Sequence, residues 1–294
     1  MSAFHNENVM YVRSVSLRVK DIATMLDFYT RILKMTLIDR QDNLYRLGTD
    51  DNRVLIDLVF DPEAKNERRR TGLYHFALLW PSHHDLGIFF KYCLTNHIDL
   101  SGASNHDVSD ALYLSDPEGN GIEIYADRPS KDWKFTKDGI LMTTATIDHE
   151  ALLEEKGEYE RIPINTFIGH IHLSVNSIAE ASHFYVDVIG FNKMLDYGPT
   201  ASFISDGGYH HHIAFNTWSG TNNQNLGKHE TGLIEYEINL PINRVNQLIQ
   251  SLVKAGIDHD RLGNLIIVHD INGTNIAFIY RLTLFPLFKK DDIF

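Results

Sequence analysis

The chain has 294 residues, and its 39 acidic and 27 basic side chains give a formal net charge of −12. This charge argues against binding to nucleic acid or to an anionic membrane surface, because both partners need basic patches. The single cysteine, Cys93, excludes an internal disulfide framework. No apolar run approaches the roughly 20 residues of a membrane span, so we expect a cytoplasmic protein.

Two similar units are predicted in the first part of the chain, at residues 10–60 and 71–127. Each begins with an apolar strand, continues through a helix and is expected to end in about three further strands. The helix of the first unit carries Phe28 and Tyr29, and the last hairpin of the second unit closes at the turn sequence of residues 116–121.

The second part of the chain repeats this order. A connector, residues 128–166, leads to a third unit at 167–216 and a fourth at 231–281. The strand at 169–175 alternates polar and apolar side chains, which places His170 and His172 on one face. Phe184 and Tyr185 follow it as Phe28 and Tyr29 follow the first strand. We therefore predict an N-terminal half, residues 1–127, and a C-terminal half, residues 167–294.

The repeat determines the expected fold class, which is α+β. Each unit reads as strand, helix and three strands, and its helix would cover one face of a sheet. One such unit cannot close a hydrophobic core, but two units facing each other can do so.

The four units resemble the vicinal oxygen chelate superfamily, and within it the extradiol ring-cleaving dioxygenases that are similar to catechol 2,3-dioxygenase. Three segments carry the resemblance: the Phe-Tyr helix after the first strand, the turn and strand at 116–123, and the strand at 210–215, which reads His-His-His-Ile-Ala-Phe. The resemblance covers most of the chain. It implies four βαβββ modules that pair into barrels of curved sheet.

In this superfamily the metal ligands lie on the first and last strands of a unit. Ser14 and Ala277 stand at such positions in the outer units, which therefore lack a ligand set, whereas the second and third units supply His75, Glu123 and His170. The resemblance implies that these two histidines and one carboxylate hold Fe(II), with Mn(II) as the alternative, and leave positions open for substrate and O2. It follows that the second unit pairs with the third.

The predicted ligands also have a structural interpretation, and one neighbouring histidine is an alternative to them. A histidine or glutamate on a strand is more often a packed or solvated structural residue than a ligand, and it is the coincidence of equivalent positions that favours a metal site. His172 shares the strand face of His170 and is the alternative ligand.

The resemblance also implies three catalytic side chains. His212 corresponds to a histidine that acts as acid and base beside the metal, and alternation would place it on the same face as His210. Alternatively, His212 could be a fourth metal ligand. Tyr113 corresponds to a tyrosine that hydrogen-bonds the bound catecholate, and His106 lies near the position of a second polar histidine.

The function expected from the resemblance is an iron(II)-dependent extradiol dioxygenase that cleaves the ring of a catechol or hydroquinone with O2. Two alternatives remain open: a metal-dependent isomerase or thiol transferase of the glyoxalase type, and a non-catalytic resistance protein that binds an aromatic compound. The expected partners are an aromatic diol and O2, without nucleic acid or membrane. Unpaired edges of the outer units are compatible with a homodimer.

Overall fold

Two β-sheets form the frame of the protein, and each combines strands from both halves of the chain. The structure is a computed structural model that describes residues 3–67 and 69–281. Residues 282–294, the end of the predicted C-terminal half, lie outside the described residues.

The first two units each consist of a strand, a helix and three strands, as the sequence predicts. The first unit contains β1 (Val12–Val19), α1 (Ile22–Asp27), β2 (Thr36–Gln41), β3 (Leu44–Gly48) and β4 (Val54–Phe60). The second contains β5 (Gly72–Trp80), α2 (His83–Thr95), β6 (Gly102–Asn105), β7 (Ser109–Ser115) and β8 (Gly121–Asp127). Helix α1 continues into a wide helical turn at Phe28–Ile32.

The predicted connector has structure of its own, consisting of β9 (Phe135–Thr136), β10 (Gly139–Ile140) and α3 (His149–Glu154). The third unit contains β11 (Phe167–Ser174), α4 (Ile178–Ser182), β12 (Asn192–Tyr197), β13 (Ala201–Ser205) and β14 (Ile213–Asn216). The fourth contains β15 (Gly232–Asn239), α5 (Val245–Ala255), β16 (Asp260–Leu262), β17 (Leu265–His269) and β18 (Asn275–Ile279).

Side-chain caps fix where several helices begin. Asp21, Ser82 and Ser177 each accept a hydrogen bond from a backbone N–H in the first turn of α1, α2 and α4, respectively. Such a cap satisfies one of the N–H groups that has no partner inside the helix. Helix α5 ends at Gly256, whose φ of 67° lies in the left-handed region that favours glycine.

The strand order joins the second unit to the third. The ten-stranded sheet has the order β6-β7-β8-β5-β11-β14-β13-β12-β10-β9, so the first strands of these two units are antiparallel neighbours at its centre. The eight-stranded sheet has the order β16-β17-β18-β15-β1-β4-β3-β2 and joins the first unit to the fourth. This is the pairing expected from the empty ligand positions of the outer units.

The paired units form open sheets and not the barrels that the resemblance implies. Within the described residues, the strands at the two ends of each sheet do not pair with each other. One hydrophobic core contains buried residues of all four units, including Val15, Phe76, Ile171 and Tyr236. The two sheets therefore bury their apolar faces against each other and against the helices, and burial is the main stabilising contribution to this arrangement.

Two tyrosine–aspartate contacts hold consecutive units together across the sheets. The Tyr29 hydroxyl donates to Asp116 of the second unit at 2.9 Å, and the Tyr185 hydroxyl donates to Asp270 of the fourth at 3.0 Å. Both contacts are buried. The Phe-Tyr helix that marks the repeat thus anchors the turn before the last strand of the following unit.

In the described part of the chain, none of the helices has the length and apolar character needed to cross a lipid bilayer.

Candidate metal centre

The register of three neighbouring strands brings the predicted metal ligands together. Ala77 of β5 is paired with His170 of β11 on one side and with Glu123 of β8 on the other. His75 lies two residues before Ala77 and therefore points to the same face of the sheet. Because alanine has only a methyl side chain, the larger groups on both sides can converge over it.

The three donor atoms lie within hydrogen-bond distance of one another. His75 Nε2 is 3.3 Å from His170 Nε2, and Glu123 Oε2 is 3.2 Å from His75 Nε2 and 3.4 Å from His170 Nε2. Donors that each lie about 2.1 Å from one ion are separated by about 3 Å when they occupy adjacent positions. The group could therefore hold a single metal ion, and two imidazoles with one carboxylate are the donors of non-haem Fe(II) sites.

The protonation states of these side chains suit metal binding. Burial lowers the pKa of His170 to about 4, despite the opposing influence of Glu123. Burial alone would raise the pKa of Glu123, but the charge of His170 and hydrogen bonds from both imidazoles hold it well below its usual range. Near neutral pH the site thus contains an ionised carboxylate beside a neutral His170, which are the forms that ligate metals.

Two glycines permit the close approach of these strands. A Cβ atom on Gly121 would lie 2.5 Å from the backbone oxygen of Tyr74, and a Cβ on Gly169 would lie 1.8 Å from Tyr125 Oη. Larger residues would push β8 away from β5 or displace the strand that carries His170. Both glycines lie beside one of the three donor residues, so they limit the spacing of these side chains.

The turn at 116–121 fixes the start of β8 and hence the position of Glu123. Asp116 Oδ1 accepts hydrogen bonds from the backbone N–H groups of Glu118 and Asn120. Its other oxygen accepts from the hydroxyl of Tyr29 and from Asn120 Nδ2. The turn sequence that carries part of the family resemblance is therefore a structural support of the site.

A cavity of about 520 Å³ opens above the three donor atoms. Aromatic side chains surround it at Tyr74, Tyr197 and Trp218, each of which is about half exposed. Lysine and arginine are absent from the described residues that line it, and Glu123 is the one acidic group among them. The volume and lining suit a small aromatic molecule without a negative charge.

Tyr113 and His106 line this cavity as a hydrogen-bonded pair. His106 Nδ1 donates to the backbone oxygen of Thr143 at 2.7 Å, because a carbonyl oxygen can only accept. In the neutral ring, Nε2 then accepts from the Tyr113 hydroxyl at 2.6 Å. Burial and the neighbouring charge of Glu123 raise the pKa of Tyr113 well above its usual value. The phenol is therefore a hydrogen-bond donor at neutral pH.

His212 does not lie where the sequence prediction places it. Its Nε2 is 3.0 Å from the backbone oxygen of Phe4, and its Nδ1 accepts from the backbone N–H of Asp206. His211 lines the cavity instead, with its ring 4.0 Å from that of His170. The expectation came from the resemblance, and strand alternation was to place His212 on the face of His210. Strand β14 begins only at Ile213, so the three histidines do not alternate as strand residues do.

His172 faces the cavity but already has a partner. Its Nε2 accepts a hydrogen bond from Asn216 Nδ2 at 2.9 Å, and its ring lies 5.1 Å from that of His75. The prediction that His170 and His172 share a strand face is correct. Because Asn216 occupies the Nε2 position, His172 shapes the cavity beside the three clustered donors rather than joining them.

Several cavity residues were missed by sequence reasoning. Met142, Thr143 and Thr144 belong to the segment predicted to be only a connector, and Tyr74 and Trp218 were not singled out. The sequence shows three consecutive histidines before Ile213, but only the structure shows that His211 is the one that faces the cavity.

Comparisons of the sequence with known proteins identify a family and a relative. The family model described as "Glyoxalase/Bleomycin resistance protein/Dioxygenase superfamily" matches residues 11–124. A catechol-2,3-dioxygenase of Bacillus subtilis (strain 168) is 39% identical over 287 residues, covering 95% of this chain and 100% of that protein.

Solved structures show the same fold. Glyoxalase I from Zea mays has a TM-score of 0.54 at 13% identity and covers 92% of each chain. The cppA protein from Streptococcus pneumoniae has a TM-score of 0.56 at 12% identity, covering 93% of this chain and 100% of that one. At such low identity these two structures support the fold alone.

The fold and the site together define a member of a superfamily in which one architecture carries several chemistries. The chain belongs to the glyoxalase/bleomycin resistance protein/dioxygenase superfamily, and the near full-length similarity to the Bacillus subtilis protein places it among the dioxygenases. The predictions of the family and of a dioxygenase-type enzyme are therefore confirmed.

Proposed function

We propose that the protein is an Fe(II)-dependent extradiol dioxygenase that cleaves the ring of an uncharged catechol with O2. The observation that carries this proposal is the convergence of His75, His170 and Glu123 beneath an aromatic cavity. The name of the Bacillus subtilis relative supports catechol as the substrate class. Hydroquinones and Mn(II) are the alternatives to be tested in the same assay.

His75, His170 and Glu123 would hold the ion. Bound Fe(II) supplies the redox coupling between the diol and O2 and makes a substrate hydroxyl more acidic. The overall reaction inserts both oxygen atoms of O2 and breaks the ring carbon–carbon bond beside a hydroxylated carbon, so catechol yields a muconic semialdehyde.

The other cavity side chains bind the diol and move its proton. His211 Nε2 accepts the proton of one substrate hydroxyl and returns it as the ring opens. The Tyr113 oxygen, whose hydrogen goes to His106, accepts a hydrogen bond from a substrate hydroxyl on the side of Glu123, since Tyr113 and Glu123 are cross-strand neighbours. His106 holds the Tyr113 hydroxyl in place. The aromatic side chains at the mouth pack against the ring and limit the access of water.

The direct test uses protein purified anaerobically and loaded with Fe(II) or Mn(II). We expect O2 uptake and a yellow product with catechol, in a ratio of one O2 to one product. Glu123→Gln should lose retained iron and activity together, whereas the exposed Glu150→Gln should keep both. Iron retention with intact turnover in Glu123→Gln would contradict the ligand assignment.

The same measurements separate the alternative functions. A metal-loaded protein that converts a thiol adduct without consuming O2 would indicate a glyoxalase-type reaction. Binding of phenols that is unaffected by metal, again without O2 uptake, would indicate a resistance protein. A cytoplasmic location and a homodimer stay predictions, which fractionation and light scattering can check.

A further inference from the structure

A hydrogen-bonded chain of three side chains runs behind the cavity wall, from Asp127 through His210 to His211. Asp127 Oδ1 is 2.9 Å from His210 Nε2, and His210 Nδ1 is 2.8 Å from His211 Nδ1. His210 is fully buried, while the Asp127 side chain is 21% exposed. These hydrogen bonds therefore connect the cavity residue His211 to the protein surface at Asp127.

The direction of these hydrogen bonds follows from the chemistry of the groups. An ionised carboxylate can only accept, so His210 Nε2 carries a hydrogen and donates it to Asp127. When His210 carries this hydrogen alone, its Nδ1 is unprotonated and accepts from the Nδ1–H of His211. A neutral His211 with hydrogen on Nδ1 has its lone pair on Nε2.

We propose that Asp127 and His210 are positioning residues that fix the tautomer and orientation of His211, so that its Nε2 is the proton acceptor offered to the cavity. This inference rests on the proposed function for its catalytic consequence, but the tautomer itself does not depend on that function. In the described part of the chain, the hydrogen bond to His210 is the one that the His211 ring makes, so without it the ring has no partner that selects a tautomer.

The surroundings of His210 explain why it can act as a rigid link. The ring of Tyr209 lies against that of His210 with centroids 3.9 Å apart and planes tilted by 33°, and the indole of Trp133 contacts it edge-on at 5.3 Å. Trp133 comes from the connector. These contacts hold the His210 ring in one plane. Asp127, at the end of β8, can therefore influence the tautomer of His211 in the third unit.

The test measures the tautomer directly. Full-length protein without added metal is labelled with 15N-histidine, and long-range 1H–15N spectra report which ring nitrogen carries hydrogen. The His211 signals are assigned by their loss in His211→Gln. We expect hydrogen on Nδ1 in the wild type. Hydrogen on Nε2 of wild-type His211 would overturn the proposal, whatever the protein's activity.

Variants of Asp127 test the consequence. Asp127→Ala removes the acceptor, so we expect a mixture of His211 tautomers and a fall in kcat of about 10- to 100-fold with unchanged KM and iron content. Asp127→Asn keeps an acceptor oxygen and should retain most of the kcat and the wild-type tautomer. Asp187→Asn, which removes the carboxylate partner of the exposed His183, is the matched control and should change nothing.

Two results would contradict the proposed role. An unchanged His211 tautomer in Asp127→Ala would show that Asp127 does not set it. A loss of iron or a rise in KM in place of the fall in kcat would show that the residue supports only the fold of the site. If the wild-type tautomer is as expected but no O2 is consumed, the proposed dioxygenase function fails while the positioning of His211 stands.

Discussion

Asp270 gives a quantitative prediction, because its buried carboxyl group makes stability depend on pH. The group lies in the turn before β18, where the hydroxyls of Tyr185 and Tyr236 approach one oxygen. Burial raises its pKa from 3.8 to about 6, even though backbone and tyrosine hydrogen bonds act in the opposite direction. Folding therefore makes the Asp270 carboxyl group hold its proton to a higher pH than it does in the unfolded protein.

The magnitude follows from proton linkage. A carboxyl group whose pKa is higher in the folded state stabilises the fold fully below pH 3.8, and this contribution is lost as the pH rises through about 6. The difference of roughly two pKa units corresponds to about 3 kcal/mol of unfolding free energy. Asparagine resembles the protonated acid in shape and keeps the oxygen that accepts from the backbone N–H groups of Asn272 and Thr274.

We therefore expect Asp270→Asn to gain up to about 3 kcal/mol relative to the wild type between pH 4 and pH 7. The assay is urea unfolding of both proteins at several pH values in this interval, and the difference between them removes the contributions of all other titrating groups. The exposed Asp138→Asn should give a constant difference over the same range. A constant difference for Asp270→Asn as well would refute the reasoning.

Three further predictions concern the turn, the strand packing and the cavity. Tyr29→Phe removes the donor to buried Asp116 and should cost about 1–3 kcal/mol in urea unfolding; an unchanged midpoint would show that water replaces the hydroxyl. Gly169→Ala should lower both the thermal midpoint and the iron content, because the new methyl group collides with Tyr125; normal iron content would mean that β11 adjusts without moving His170. A catechol with a carboxylate substituent should have a kcat/KM at least about tenfold below that of the methyl-substituted catechol, since the cavity lining offers the charge no cationic partner; equal values would contradict this view of the cavity.

The location of the predicted ligands shows why the sequence was informative about this site. His75, Glu123 and His170 each lie on a strand whose period is two, so sequence position alone determines which face a side chain occupies. The repeat then aligns equivalent strands of different units. Because the outer units have Ser14 and Ala277 at the corresponding positions, the filled positions predict that the two central units share a sheet, and the strand order agrees.

Residues 210–212 show where such reasoning ends. They precede β14, so no regular period relates their side chains, and their directions depend on distant partners: Asp127 for His210 and Phe4 for His212. The connector is a second example. Its Thr143 contacts His106 through the backbone oxygen. Any residue type at position 143 could make this contact, so the sequence does not reveal it.

The amino-acid sequence by itself predicted the four units and the fold class, because strand periodicity and repetition are local properties that survive in the one-dimensional chain. The resemblance to the dioxygenases pointed to the three clustered donor residues. The tertiary structure alone decided which histidine of the triplet faces the cavity, which aromatic side chains surround the cavity and which groups the three histidines contact. Those features arise from contacts between segments far apart in the chain, where packing and hydrogen-bond geometry, rather than residue spacing, select one orientation.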